Sequence, residues 1–201
     1  MANVSRPAGL SPIGYLNGAD WDGKVNMYYI ASTDGNAFYI GDPVTLSGSG
    51  HATLGIPGVT IGSAGGTCLG AIVACGAVPD SGPYIDPSNL SLLSIPATKT
   101  KHYYVAVADD PQIVFEMEEG GAGTVLAATN IGQNANFVAA APGTGVNVSA
   151  YVINNASVNT TSTLNLKLLG LVRRPDNAFG AYSKWRVLIN NHTFRTGVTG
   201  V

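Results

Sequence analysis

The side chains with the most chemical capability here are three histidines, two cysteines and a run of carboxylates. His51, His102 and His192 are far apart in sequence, and no two share a metal-ligand spacing. Each reads as a surface or hydrogen-bonded imidazole. Cys68 and Cys75, if carried on one strand, would lie about 23 Å apart on opposite faces. A disulfide reaches only about 7 Å between Cα atoms, so two buried free thiols are expected, in keeping with a reducing origin. Asp109, Asp110, Glu116, Glu118 and Glu119 fall within eleven residues. Glu116 and Glu118 share a strand face, the arrangement of an acid/base pair. A glycan hydrolase would also need an aromatic cleft, however, and tryptophan occurs only at 21 and 185. An acidic contact face is the better expectation.

Other motifs fail on spacing. Ser47-Gly48-Ser49-Gly50 lacks the register of a nucleophile elbow. Gly121-Ala122-Gly123 and Gly143-Thr144-Gly145 lack the third glycine of a dinucleotide loop, and the chain has no Gly-Lys-Ser/Thr phosphate loop. Asp20-Trp21-Asp22-Gly23 has a calcium-loop flavour, but its first position would be Gly18 and its twelfth Tyr29. It reads as a turn. The expectation is a chain with no catalytic residues, no metal site and no cofactor.

The elements that hold these residues are strands. In Gln112–Glu118, Ile113, Phe115 and Met117 alternate with Gln112, Glu116 and Glu118. In Lys184–Asn190, Trp185, Val187 and Ile189 face inward while Lys184, Arg186 and Asn190 face out. Leu164, Leu166 and Leu168 repeat the pattern. Val25–Ile30, Phe38–Ile40, Val44–Leu46, Leu69–Ala74, Tyr103–Ala108 and Val146–Ile153 are further strand candidates. Asp34-Gly35-Asn36, Gly41-Asp42-Pro43, Asp86-Pro87, Asp109-Asp110-Pro111 and Pro175-Asp176-Asn177 are turn sequences. Only 127–141 leaves room for a short helix. The expected fold is all-β: an antiparallel barrel or sandwich over 24–201, preceded by an extended arm over 1–23. The arm carries Arg6, Leu10, Tyr15 and Trp21, and it either packs on its own barrel or reaches a neighbouring subunit.

Charge is scarce and unevenly placed. Asp, Glu, Lys and Arg make up 11% of the residues, against about 25% in an ordinary domain. A folded chain of this size exposes on the order of 9,000 Å², so each charge has roughly 400 Å² to itself. Such a surface suits burial against neighbours. The net charge of -2 argues against a nucleic-acid binder. The 45% apolar content argues against disorder. The start of the chain reads as no signal peptide, and the apolar run 68–78 is too short for a membrane helix, so a soluble protein made in a cytoplasm is expected. Residues 160–201 carry six basic groups, Arg173 and Arg174 among them, and one acid; the remainder carries four basic and eleven acidic. Either the basic end pairs with the acidic strand within one chain, or opposite ends of two copies meet.

Several segments resemble a group of tailed-bacteriophage virion structural proteins. These are Ala2-Asn3-Val4-Ser5-Arg6-Pro7-Ala8-Gly9-Leu10, Asp34-Gly35-Asn36-Ala37-Phe38-Tyr39-Ile40-Gly41-Asp42-Pro43-Val44, Ala108-Asp109-Asp110-Pro111 with Phe115-Glu116, and Leu169-Gly170-Leu171-Val172-Arg173-Arg174-Pro175-Asp176-Asn177. Gly41-Asp42-Pro43-Val44 is also similar to small β-barrels that decorate phage heads. The resemblance implies a non-enzymatic capsid cement or decoration protein on the outside of the head. Its implied partners are the major capsid protein and further copies of itself, dimer or trimer, with no nucleic acid and no membrane. A tail or fibre adsorption module is the alternative. Candidate interface residues are Arg6, Leu10, Tyr15, Trp21, Glu116, Glu118, Glu119, Arg173 and Arg174.

Overall fold

The computed structural model describes residues 3–77, 92–120, 123–139 and 147–201. The Asp86-Pro87 turn, Gly121-Ala122, Gly143-Thr144-Gly145 and the first residue of Val146–Ile153 lie outside them. Among the described residues the strands, in chain order, are β1 (Ser11–Tyr15), β2 (Asn26–Ile30), β3 (Phe38–Tyr39), β4 (Pro43–Gly50), β5 (Pro57–Ile61), β6 (Gly70–Ala77), β7 (Ser94–Ile95), β8 (Tyr103–Ala108), β9 (Ile113–Gly120), β10 (Asn134–Ala135), β11 (Phe137–Ala139), β12 (Tyr151–Asn154), β13 (Leu166–Leu171) and β14 (Lys184–Ile189). The fold is all-β. The helix expected within 127–141 is reduced to a single 3-10 turn, Ala128–Asn130, after which the chain returns to strands β10 and β11.

Five strands close into a barrel in the order β2-β5-β4-β6-β8. Closure of so few strands demands sharp bending, and β4 and β6 supply it through register shifts at Leu46/Gly50 and Ile72/Ala74. Small residues let the walls approach: a Cβ on Gly70 would sit 2.2 Å from the Ala108 carbonyl oxygen. Ile30, Val44, Leu69, Ile72, Cys75, Val105 and Val107 fill the interior, and the β3-β7 ribbon adds Phe38 and Ile95.

A second sheet runs β10-β13-β14-β9-β12-β11. β14 pairs with one edge of β9; β1 and β12 share the other. Phe115, Met117, Trp185, Val187, Leu166 and Leu168 bury their side chains in its core together with Cys68, Ala71 and Ala108 from the barrel side. The two free cysteines therefore occupy different cores, Cys68 in the second and Cys75 in the barrel. Burial pushes both thiols up to about 12, which keeps them protonated and unreactive.

The segment expected as an arm over 1–23 belongs to this second sheet. Leu10 is fully buried in its core, worth about 2 kcal/mol. Residues 11–15 form β1, paired with β9 from Ser11↔Glu116 to Tyr15↔Ile113. The chain crosses the barrel where two glycines meet. Gly9 (φ 65°) and Gly41 (φ 93°) both need the left-handed region, and a Cβ on either would fall 2.1 Å from a carbonyl oxygen of the other strand. Leu10 N–H donates to the Gly41 oxygen at this crossing. Of the two placements expected for the arm, this chain takes the one on its own body.

The second sheet also departs from strict alternation. Asn190, expected outside, is buried: its amide donates to the Ser162 oxygen at 2.9 Å and accepts from Val198 N–H at 2.9 Å. Asn165 likewise accepts from Gly65 N–H and donates to the Gly66 oxygen. These asparagines supply donors and acceptors that irregular neighbouring loops cannot find in a ladder.

Candidate functional site

At the C-terminal end of β9, residues 3–6 lie over the sheet face that was expected to meet solvent. The outcome is a β9 covered on both faces. Glu118 and Glu119 are only 2% and 1% exposed. A carboxylate is tolerated at such depth only with several donors. Glu118 receives three: Ser5 Oγ at 3.0 Å, Arg6 N–H at 2.7 Å and Lys184 Nζ at 2.6 Å. Glu119 receives Leu126 N–H at 2.8 Å, Asn155 Nδ2 at 2.9 Å and Tyr182 N–H at 3.1 Å. Glu116 pairs with Arg174 at 3.0 Å. Register enforces part of this, since Lys184 lies opposite Glu118 on β14. The basic end of the chain thus meets the acidic strand inside one molecule. Glu118 and Glu119 offer no exposed acidic face: the first residues of the chain cover Glu118, and Leu126, Asn155 and Tyr182 enclose Glu119.

A groove of about 480 Å³ opens over this ion-pair layer, lined among others by Val4, Arg6, Arg174, Asp176, Tyr182 and Lys184. Asparagines hold its rim. Asn3 Nδ2 donates to the Ala178 and Ala181 oxygens, while Asn177 bonds both the N–H and the carbonyl of Lys184. The turn so clamped presents two aromatics. Phe179 rests on the buried Trp185 ring (5.8 Å between centroids) yet stays 49% exposed, and Tyr182 is 46% exposed. Tyr182 is the one non-glycine residue at positive φ (63°) among those described. Left-handed backbone is disfavoured for such a side chain, and an ordered outlier of this kind concentrates at binding surfaces.

The other end of β9 has the opposite character. A groove of about 540 Å³ is lined by Tyr15, Asn17, Asp20, Asp22, Lys24 and Asp110. Asp22 is held down at about 2 by the hydrogen bond from Lys24 and, next, by that from Tyr15 Oη. Among the described residues no group of three or more His, Cys, Asp or Glu side chains is placed to hold a metal ion. Trp21 lies beside Tyr15 against the second core, half-buried.

The candidate residues therefore separate. Arg6, Glu116, Glu118, Glu119 and Arg174 come together at one end of β9; Arg173, the chain neighbour of Arg174, is exposed. Tyr15 and Trp21 belong to the other end, and Leu10 is core. The sequence marked Asn177 only as part of a turn and carried no signal for Asn3, whose partners Ala178 and Ala181 lie 175 and 178 residues away, or for the exposure of Phe179 and Tyr182. It also carried none for a ring cluster outside the barrel wall. His51 and His102, separated by fifty residues, lie 6.0 Å apart, with Tyr29 and Tyr104 packed around them. His51 Nδ1 accepts from Thr53 and Leu54 N–H, and His102 Nδ1 accepts from Ser32 N–H while contacting Tyr29 Oη. Both rings thus spend a nitrogen on holding loops.

Compared with family models, curated proteins and solved structures, the chain has no match.

Proposed function

We propose that this chain is a non-enzymatic bacteriophage capsid cement (decoration) protein, bound outside the head and bridging neighbouring major capsid protein subunits against internal genome pressure. The observation that carries this reading is the poverty of surface charge. The fold exposes 9510 Å² with 22 charged residues in the chain, and at least four of its acids (Asp42, Asp109, Glu118, Glu119) are buried. Broad contacts made by such a surface desolvate few ions, and a rigid closed barrel loses little entropy on docking. Many copies on one shell then act together through effective concentration. The groove with Tyr182, Arg6 and Arg174, and the exposed Phe179 on the same turn as Tyr182, have the aromatic and arginine composition of an interface hot spot. On this reading the protein sits on the capsid exterior after assembly in the host cytoplasm.

A second reading, a tail or fibre adsorption module, draws on one observation. Beside Tyr29 a smaller groove is lined by Thr33, Asp34, Ser47, Ser49 and Thr60, a hydroxyl-rich set suited to a glycan. Counting copies per purified particle by quantitative mass spectrometry separates the readings. Hundreds of copies are expected for cement; a handful favours a tail part, and none sinks both.

A further inference from the structure

We infer that copies of this chain bind one another head to tail, the aromatic and basic end of β9 in one copy seating the Asp-lined groove at the opposite end of β9 in the next. The inference deepens the cement reading by naming a partner for the two grooves.

The two ends complement each other in charge and in shape of composition. At the basic end Lys184 and Arg174 are already matched by Glu118 and Glu116, and Asp176 also lies 3.6 Å from Arg174. Among the described residues Arg6 and Arg173 have no ion pair, and both are exposed. At the acidic end Lys24 is matched by Asp22 at 2.8 Å, and Arg186 lines the adjoining cleft. Among the described residues Asp20 has no ion pair, and the Asp110 carboxylate accepts from Gln112 N–H in its own turn. Among the described residues the basic end therefore keeps two unpaired cations, Arg6 and Arg173, whereas the acidic end keeps two unpaired carboxylates, Asp20 and Asp110, beside one unpaired cation, Arg186.

Each end also carries apolar side chains that the fold leaves exposed. Val4, Phe179 and Tyr182 stand at the basic end; Ile13 and Leu16 stand at the acidic one. An apolar centre ringed by complementary charge is the anatomy of a specific contact rather than of a solvated face. Within one copy the ends cannot meet: the seven steps of β9 hold them about 23 Å apart. Because the two faces differ, the contact is heterologous, and repetition closes a ring or extends a chain.

Sedimentation velocity of the full chain at graded concentration and two ionic strengths tests this. The wild type is expected to exceed a monomer, more so at low salt. One variant, R6E with R173E, blocks the basic face; a second, D20K, blocks the acidic face. Each alone is expected to associate at least about tenfold more weakly, and their equimolar mixture is expected to recover association, since each retains the face that the other has lost. Circular dichroism confirms that both remain folded, all three positions being exposed. A wild type that stays monomeric, variants that associate as it does, or a mixture no better than its components overturns the inference. Association without copies on particles would instead remove the cement reading and leave the contact standing.

Discussion

The barrel and the second sheet solve the same burial problem by different means. The barrel interior is filled by aliphatic and aromatic side chains, and its strand β8 is buried along its whole length. The second sheet has a similar apolar core around Trp185 and Phe115, but it also encloses Glu118, Glu119, Asn134, Asn165, Ser183 and Asn190. The difference follows from what covers each. A closed barrel satisfies its own backbone through its ladders, whereas the second sheet is roofed by loops and by the first residues of the chain. Those segments have unpaired N–H and carbonyl groups, which buried side chains must satisfy. Stability in the barrel should depend on volume, and in the second sheet on polar bookkeeping.

The sharpest way to break that contrast is Glu118→Ala. It strands the Lys184 ammonium, 2.6 Å away, together with Arg6 N–H and Ser5 Oγ. Removing one partner of a buried ion pair costs about 3–5 kcal/mol, measurable by denaturant unfolding. A loss below about 1 kcal/mol would put this carboxylate in the class of exposed pairs and end the claim that polar groups hold the second sheet. Leu10→Ala ranks next. Filling of the second core by this residue predicts a loss of about 2–4 kcal/mol. A neutral result would mean that the first residues are a detachable arm and that truncation of 1–20 spares the sheet; the burial of Leu10 predicts that such truncation exposes the core instead.

How far the sequence foretold this division depends on the residue. Ile113, Phe115 and Met117 alternate, and all three are buried as period two demands. Tyr103–Ala108 and Lys184–Ile189 also emerge as strands where β-branched and aromatic residues cluster. Glu118 shows the limit. A glutamate at an outward position of a strand looks solvated until a segment more than 110 residues away is laid over it. Pro12, likewise, reads against a strand, yet β1 accommodates it beside a register shift on an edge with β9. The pairing of charges along the chain was visible as a sign split; its resolution into Lys184–Glu118 required the register of β14 on β9, and Arg174–Glu116 required the path of the loop between β13 and β14. The ring cluster of His51 and His102 had no local cue at all.

Titration sharpens the comparison, because the two regions pull in opposite directions. Asp42, 3% exposed beside the barrel, has its carboxyl raised to about 6, by burial first and against hydrogen bonds from Ser149 and Tyr39 N–H. Its folded value exceeds the unfolded one, so its contribution is complete below about pH 4 and is lost as pH rises through about 6. Asp42→Asn, whose amide oxygen can still accept Tyr39 N–H, is expected to stabilise the protein at pH 7 by about 2–3 kcal/mol, and to show no gain at pH 3. His192, buried where the second sheet meets Cys68, is lowered by burial and then by Arg195. The unfolded chain takes up a proton that this folded imidazole refuses, so stability falls as pH drops through its ordinary value near 6.5. Thermal midpoints of Asp42→Asn across pH 3–8 should therefore retain the acid-side loss and be relieved of the opposing term. A curve parallel to wild type would show that Asp42 titrates normally.

The smallest effect separates folding from docking. Tyr182 holds φ at 63° because Glu119 accepts its N–H and Asn3 bonds the oxygen of the preceding Ala181. Glycine adopts that backbone freely and keeps the same N–H. Relief of left-handed strain, worth about 1–2 kcal/mol, outweighs the added entropy of an unfolded glycine, roughly 0.5–1 kcal/mol. Tyr182→Gly should then raise stability slightly, by about 0.5 kcal/mol, while removing an exposed aromatic from the basic groove and weakening docking there. A tyrosine retained at the expense of stability implies selection for what its ring touches outside the fold. If the glycine variant is both less stable and equally competent in association, the strain belongs to packing within the chain and the groove loses its principal anchor.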